Sequence, residues 1–221
     1  MIDWSRIDTV LLDMDGTLLD LHYDNYFWND FLPRHWAGEN GLDAAEAKAE
    51  LMSRIRGAQG SLQWYCTDFW SEQLSLNIAL LKREVADRIA YRPHTEDFLT
   101  QLKSSGRQVW LATNAHRDSY SLKAEITGLD RYMHEIIISH DYKAAKEEQT
   151  FWQGLQASKP FDPQRSLLID DNVSVLDAAL EFGIGQVLCL RQPDSKVPAR
   201  DDLPHPAILH FDEIMPIPPA T

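Results

Sequence analysis

Asp13 and Asp15 stand two residues apart in Asp13-Met14-Asp15-Gly16-Thr17, directly after the apolar run Val10-Leu11-Leu12. Carboxylates this close repel one another unless a divalent cation such as Mg²⁺ or a shared proton intervenes. One of them can attack phosphorus to give an aspartyl-phosphate while its neighbour serves as acid and then as base. Gly16 suits a chain that must bend sharply there. Taken alone, the pair is as readily a loop or cap, since aspartate favours both. Three further groups shift that balance. Thr113-Asn114 end the apolar run 109–112 and offer a hydroxyl and an amide to a phosphoryl oxygen, or a cap to a helix. Lys143 and Lys146 follow the run 136–138. A lysine aimed at the site would offset the carboxylates and hold phosphate as a point charge, although most lysines are solvated surface groups. Asp170-Asp171-Asn172 follow Leu167-Leu168-Ile169. Adjacent acids there suit a metal, one binding directly and one behind it, or the N-cap of the helix that follows.

These groups work together only if the chain delivers them to one place. The runs 10–12, 109–112, 136–138, 167–169 and 187–190 are rich in β-branched residues and leucine and are too short for helices. Helix-length segments lie between them: 95–103, 148–155 and 173–182, the last followed by Gly183. Strands alternating with helices predict a doubly wound parallel sheet, an α/β fold whose ligand site lies beyond the carboxyl ends of the strands. The acid pair, threonine, lysine and second acid pair all fall at such ends. Residues 20–90 break the alternation. They are mostly helix-compatible, notably over 44–56 and 70–90, and hold Trp28, Trp36, Trp64 and Trp70 of the seven tryptophans. We read them as an all-helical insertion after the first strand, giving an α/β core of 1–19 and 91–221 and a helical segment of 20–90. Aromatics at helical spacing are more often core than ligand contacts. The proline-rich stretch from Gln192 predicts irregular chain over the core, with a short helix or strand near 208–214.

The chain of 221 residues carries 34 acidic against 21 basic side chains, a formal net charge of −13. That balance argues against a nucleic-acid polymer or anionic membrane as partner, but not against a small phosphorylated ligand held by local cations or a metal. Cys66 and Cys189, far apart and without CxxC spacing, predict buried, reduced thiols in a cytoplasmic protein. No basic segment leading into an apolar run opens the sequence, so no secretory leader is expected. No run reaches about 18 apolar residues, so no membrane span is expected.

With those four groups in order, the chain resembles the haloacid-dehalogenase (HAD) superfamily of phosphohydrolases over nearly its whole length. Residues 13–18 match its first motif, Thr113 its second, Lys146 its third and Asp170-Asp171 its fourth. The resemblance implies a Rossmann-like core with a mobile helical cap. Asp13 would be the nucleophile, and Asp15 would protonate the leaving oxygen and later activate water. Thr113 and Lys146 would bind the phosphoryl group, with Asn114 beside them. Mg²⁺ would be held by the Asp13 carboxylate, the Asp15 backbone carbonyl, Asp171 directly and Asp170 behind it. The segment 143–147 lacks the glycine and proline often flanking the family's lysine, which keeps Lys143 as a substitute for Lys146. Residues 12–20, 24–28, 64–74 and 113–116 are similar to a narrower group, bacterial nucleotidases that dephosphorylate GMP and IMP. A purine mononucleotide is therefore the expected partner, with the protein acting as a monomer or dimer. The competing readings are a sugar-phosphate or phosphoglycolate-type phosphatase, a mutase, and a non-enzymatic phosphoacceptor module. Receivers of the last kind lack a helical insertion and the second acid of the DxD pair.

Overall fold

The computed structural model describes residues 2–220. Its frame is a six-stranded, fully parallel sheet of β1 (Thr9–Leu12), β2 (Gln108–Thr113), β3 (Glu135–Ile138), β4 (Ser166–Asp170), β5 (Gln186–Leu190) and β6 (Ala207–Ile208). The spatial order is β3-β2-β1-β4-β5-β6, so β1 lies at the centre and the order reverses beside it. Register pairs Leu12 with Leu111 and with Ile169. The chain therefore leaves the sheet at residues 13, 113 and 170 along one edge, where the two crossover directions open a crevice.

Strands buried on both faces need apolar residues at every position, and β1 is buried along its whole length. Val10 and Leu12 join a core shared with α6 (Thr95–Ser104) and α7 (Arg117–Thr127), through Phe98, Leu99, Tyr120 and Leu122. Leu11 points the other way, into a second core with α8 (Gln149–Ser158) and α9 (Val173–Phe182), through Phe151, Trp152, Val175 and Leu176. The expected doubly wound architecture is thus present.

Between β1 and Ala90 no strand occurs among the described residues. The chain forms α1 (His22–Tyr26), a π turn (Phe27–Phe31), α2 (Leu32–Asn40), α3 (Ala44–Ala58), α4 (Thr67–Leu74) and α5 (Ile78–Glu84). The continuous helical stretch expected over 70–90 is interrupted. Ser75 takes a left-handed conformation at φ 54°, and Asn77 Oδ1 accepts the Leu80 N–H at 2.9 Å, restarting the chain as α5. The apolar faces of these helices pack onto the α6–α7 side of the sheet in one core. Trp36 and Trp70 are buried there, whereas Trp28 and Trp64 are half-buried. The C-terminal stretch is irregular apart from β6 and a 3₁₀ turn, Phe211–Ile214, as expected for 208–214. Cys189 is buried as expected; Cys66 is only half-buried, because it begins α4 at the edge of the insertion. Both thiols are free. No helix among the described residues is long and apolar enough to cross a membrane.

Candidate active site

β1 delivers Asp13 and Asp15 to the crevice, and Gly16 lets the chain turn away. Its φ is +86°, and a Cβ there would lie 2.9 Å from Asp171 Cγ and 3.0 Å from Pro193 Cβ. Only glycine meets both demands. β2 ends in Thr113 and β4 in Asp170, and the loop beyond β4 carries Asp171. Lys146 arrives from the loop between β3 and α8, and its Nζ donates to Asp13 Oδ1 at 2.6 Å, Asp170 Oδ2 at 2.7 Å and the Ala112 carbonyl at 2.9 Å. All three of its donor hydrogens are thereby used. Lys143 is exposed, in a left-handed conformation at the end of the turn after β3. Of the two candidate lysines, the fold brings only Lys146 to the carboxylates.

Three carboxylates crowd together: Asp13, Asp170 and Asp171 each offer an oxygen within 4.8 Å of the others. Burial pushes the Asp13 carboxyl up to about 6, with Asp170 adding to the rise and Lys146 opposing it. Burial, then Asp170 and Asp13, raises Asp171 well above the usual carboxylate range. Arg200 reaches Asp171 only at its backbone carbonyl, 2.8 Å away. Lys146 is held firmly protonated by Asp13 and Asp170 despite its burial. Hard oxygen donors gathered with less positive charge than negative are the donor set that a small divalent cation satisfies.

Asp15 faces a second cluster. Lys123 of α7 donates to Asp15 Oδ1 and to Asp24 Oδ2, each at 2.6 Å, and Lys82 of α5 donates to Asp24 Oδ1 at 2.8 Å. Burial pushes Asp15 up to about 6, opposed by Lys123 and assisted by Asp24 and Asp13. Lys82 also lies 5.0 Å from the Phe27 ring centroid and 5.6 Å from that of Trp28, which spreads its charge over aromatic faces. The sequence reading missed Lys123, Asp24 and Lys82. The signal was available: Lys123 falls three residues after Tyr120 and Lys82 four after Ile78, each on the buried face of its helix.

Thr113 Oγ1 accepts the Ala115 N–H at 3.0 Å, leaving its own hydrogen free. The Asn114 side chain is more committed: its Oδ1 accepts the Lys146 N–H at 2.9 Å and its Nδ2 donates to Glu147 Oε2 at 2.8 Å. Glu147, also unforeseen, accepts from Asn172 Nδ2 at 3.1 Å and from the Tyr65 hydroxyl of the insertion at 2.8 Å. One carboxylate thus ties the loops after β2, β3 and β4 to the helical segment.

Both clusters, with Thr113 and Asn114, open into one cavity of about 630 Å³. Asp13, Asp15, Thr113, Lys146, Asp170 and Asp171 line its floor, and Trp28, Asn29, Ile55, Trp64, Tyr65 and Trp70 its roof. The π turn carries Trp28 and Asn29 to the roof, a place where π turns recur. Trp70 Nε1 donates to the Trp64 carbonyl at 3.0 Å and steadies it.

A parallel sheet with buried acids, a threonine and a lysine at its carboxyl edge, roofed by inserted helices, defines a class. The chain belongs to the haloacid dehalogenase-like hydrolases, whose family profile matches residues 7–183. It is 40% identical over 215 residues to the GMP/IMP nucleotidase YrfG of Escherichia coli, covering 97% of each chain. It is 29% identical over 224 residues to a phosphoglycolate phosphatase of Nitrosococcus oceani, covering 94% of each. Among solved structures, a HAD phosphatase from Thermococcus onnurineus superposes with a TM-score of 0.78 at 21% identity, over 94% of this chain and 96% of that one.

Proposed function

We propose that the protein is a Mg²⁺-dependent phosphomonoesterase of purine 5′-mononucleotides, with GMP and IMP its leading substrates, and that it works through an aspartyl-phosphate on Asp13. The observation that carries this reading is the single cavity in which the carboxylates, Thr113 and Lys146 face Trp28, Trp64 and Trp70. The 40% identity to a GMP/IMP nucleotidase supports the choice of substrate. Segment 20–90 acts as a cap over a core of 1–19 and 91–221, excluding water during transfer. With two free cysteines, the reducing cytoplasm is the fitting compartment.

The Asp13 and Asp171 carboxylates and the Asp15 carbonyl would hold Mg²⁺, with Asp170 behind, and the ion would supply charge neutralisation for the transferring phosphoryl group. Lys146 occupies Asp13 Oδ1, so Oδ2 is the oxygen free to attack phosphorus. The bond from phosphorus to the ester oxygen breaks as Asp15 delivers a proton to that oxygen, and the nucleoside departs. Asp15 then takes a proton from water, whose oxygen attacks phosphorus and returns the Asp13 carboxylate with release of phosphate. Thr113 donates its free hydroxyl hydrogen to the phosphoryl group, and Lys146 offsets its charge. Asn114 has one amide hydrogen left for phosphate, and its other contacts hold the Thr113 and Lys146 loops in register. Trp28 or Trp64 stacks on the base, an interaction of roughly 1–3 kcal/mol.

Phosphate release from GMP, IMP, AMP, phosphoglycolate and sugar phosphates, with and without Mg²⁺, tests both halves. GMP and IMP should turn over fastest, only with Mg²⁺, and Asp13→Asn should be inactive. Trp64→Ala should raise KM for GMP roughly tenfold while kcat holds, as loss of one stacked base implies. Faster turnover of sugar phosphates or phosphoglycolate would overturn the substrate; an active Asp13→Asn would overturn the mechanism.

A further inference from the structure

Outside the cavity, on the seam where the insertion meets the sheet, a second group of ligand-type side chains converges. Cys66 begins α4, His116 begins α7, and His140 lies just beyond β3. Each offers one donor atom within 4.8 Å of the other two, and all three residues are half-buried. Tetrahedral coordination by one sulfur and two nitrogens separates such atoms by about 3.5 Å, so modest side-chain rotation closes the set.

The surroundings prepare each ligand. Thr67 Oγ1 lies 2.7 Å from His116 Nδ1, which orients the ring and leaves Nε2 available. The imidazole rings of His116 and His140 meet edge to face with centroids 5.0 Å apart. His140 Nε2 is buried and makes no hydrogen bond among the described residues. Burial, with the neighbouring His116, holds His140 below the ordinary histidine range, so it presents a neutral imidazole with a lone pair to offer. Cys66 Sγ accepts the Phe69 N–H at 3.4 Å from the first turn of α4, a contact that fixes where the sulfur points. Asp68, largely exposed, has a carboxylate oxygen 3.6 Å from His116 Nε2 and can complete the set, as can water.

We propose that Cys66, His116 and His140 bind a thiophilic divalent cation of the zinc class, at a site separate from the oxygen-donor set of Asp13, Asp170 and Asp171. One sulfur and two imidazole nitrogens select Zn²⁺ or Co²⁺ over Mg²⁺. Binding releases the Cys66 thiol proton to solvent and changes no oxidation state. Because Cys66 comes from the insertion and both histidines from the sheet side, the bound ion cross-links the two across their seam.

Co²⁺ titration of the Mg²⁺-saturated protein, followed by absorption, tests this. Tetrahedral thiolate coordination gives a near-ultraviolet sulfur-to-cobalt charge-transfer band and intense visible d–d bands; an oxygen-only site gives neither. One equivalent of Co²⁺ should develop both, and Zn²⁺ should displace it. Cys66→Ser should abolish the charge-transfer band, and His140→Gln should weaken Co²⁺ binding by roughly tenfold or more. Cys189→Ser should leave the spectrum intact, and circular dichroism checks that each variant folds. Absence of a thiolate band in the folded wild type, or its survival in Cys66→Ser, would overturn the site.

Discussion

Lys123 carries its charge in a place where burial opposes it, and it keeps that charge because Asp15 and Asp24 outweigh the desolvation. Asp24 is the hinge of the arrangement, since it holds Lys123 and Lys82 at once. Burial alone would raise its carboxyl, but the two ammonium groups dominate and hold it at about 2. A carboxyl whose folded pKa lies below its unfolded value of about 3.8 stabilises the fold above that value. The contribution is lost as pH falls from there toward 2. Asp24→Asn leaves two buried lysines sharing Asp15, and removing one partner of a buried ion pair costs about 3 kcal/mol. Urea unfolding at pH 7 should therefore show the variant less stable by about that amount. At pH 2.5 the gap should have narrowed by roughly half, because only the wild type sheds stability through Asp24 as pH falls from 3.8 toward 2. A gap that stayed constant with pH would assign the cost to packing instead of charge.

At the scale of elements, the break between α4 and α5 carries a cost that can be measured. Asn77 satisfies the Leu80 N–H, a donor that would otherwise lack a partner at a helix start. Asn77→Ala should lower stability by about 1 kcal/mol in chemical unfolding, and Asn77→Asp should restore most of it. Equal stability of Asn77→Ala and the wild type would mean that packing of Ile78 and Leu81 alone sets this helix. Such caps explain what was legible in the sequence and what was not. The five strands with apolar runs were visible because a sheet covered on both faces demands unbroken hydrophobicity. Their order placed the Asp13, Thr113, Lys146 and Asp170 segments along one edge. The two-residue strand Ala207–Ile208 is too short to carry a pattern of its own. α7 went unrecognised because its buried face includes Ser119 and Lys123 among the apolar residues. The cluster of Asp15, Lys123, Asp24 and Lys82 joins three helices to one strand end. Helical spacing marks Lys123 and Lys82 as buried-face residues, but only the packing of those helices brings the four side chains together.

For the molecule as a whole, the formal charge of −13 and the acids beneath the cavity act in the same direction. Like charges repel in the compact state, so any salt should stabilise it somewhat by screening. Mg²⁺ should do more than screen, since it would bind Asp13, Asp170 and Asp171 only where the fold gathers them. A ligand selective for the native state adds about 2.7 kcal/mol at one hundred times its dissociation constant. For a chain of this size that is roughly 5–10 °C in Tm. Thermal unfolding in MgCl₂ should exceed unfolding in NaCl of matched ionic strength by that margin, and EDTA should erase the difference. Asp171→Asn should behave in the opposite sense. It removes one of three crowded carboxylates, so its Tm without Mg²⁺ should rise above that of the wild type, while its response to Mg²⁺ should largely vanish. If MgCl₂ and NaCl stabilised equally, the charge on the whole surface would account for the effect and the carboxylate cluster would not be a cation site. If Asp171→Asn lost stability without Mg²⁺, its carboxylate would be supporting the fold through contacts instead of straining it by repulsion.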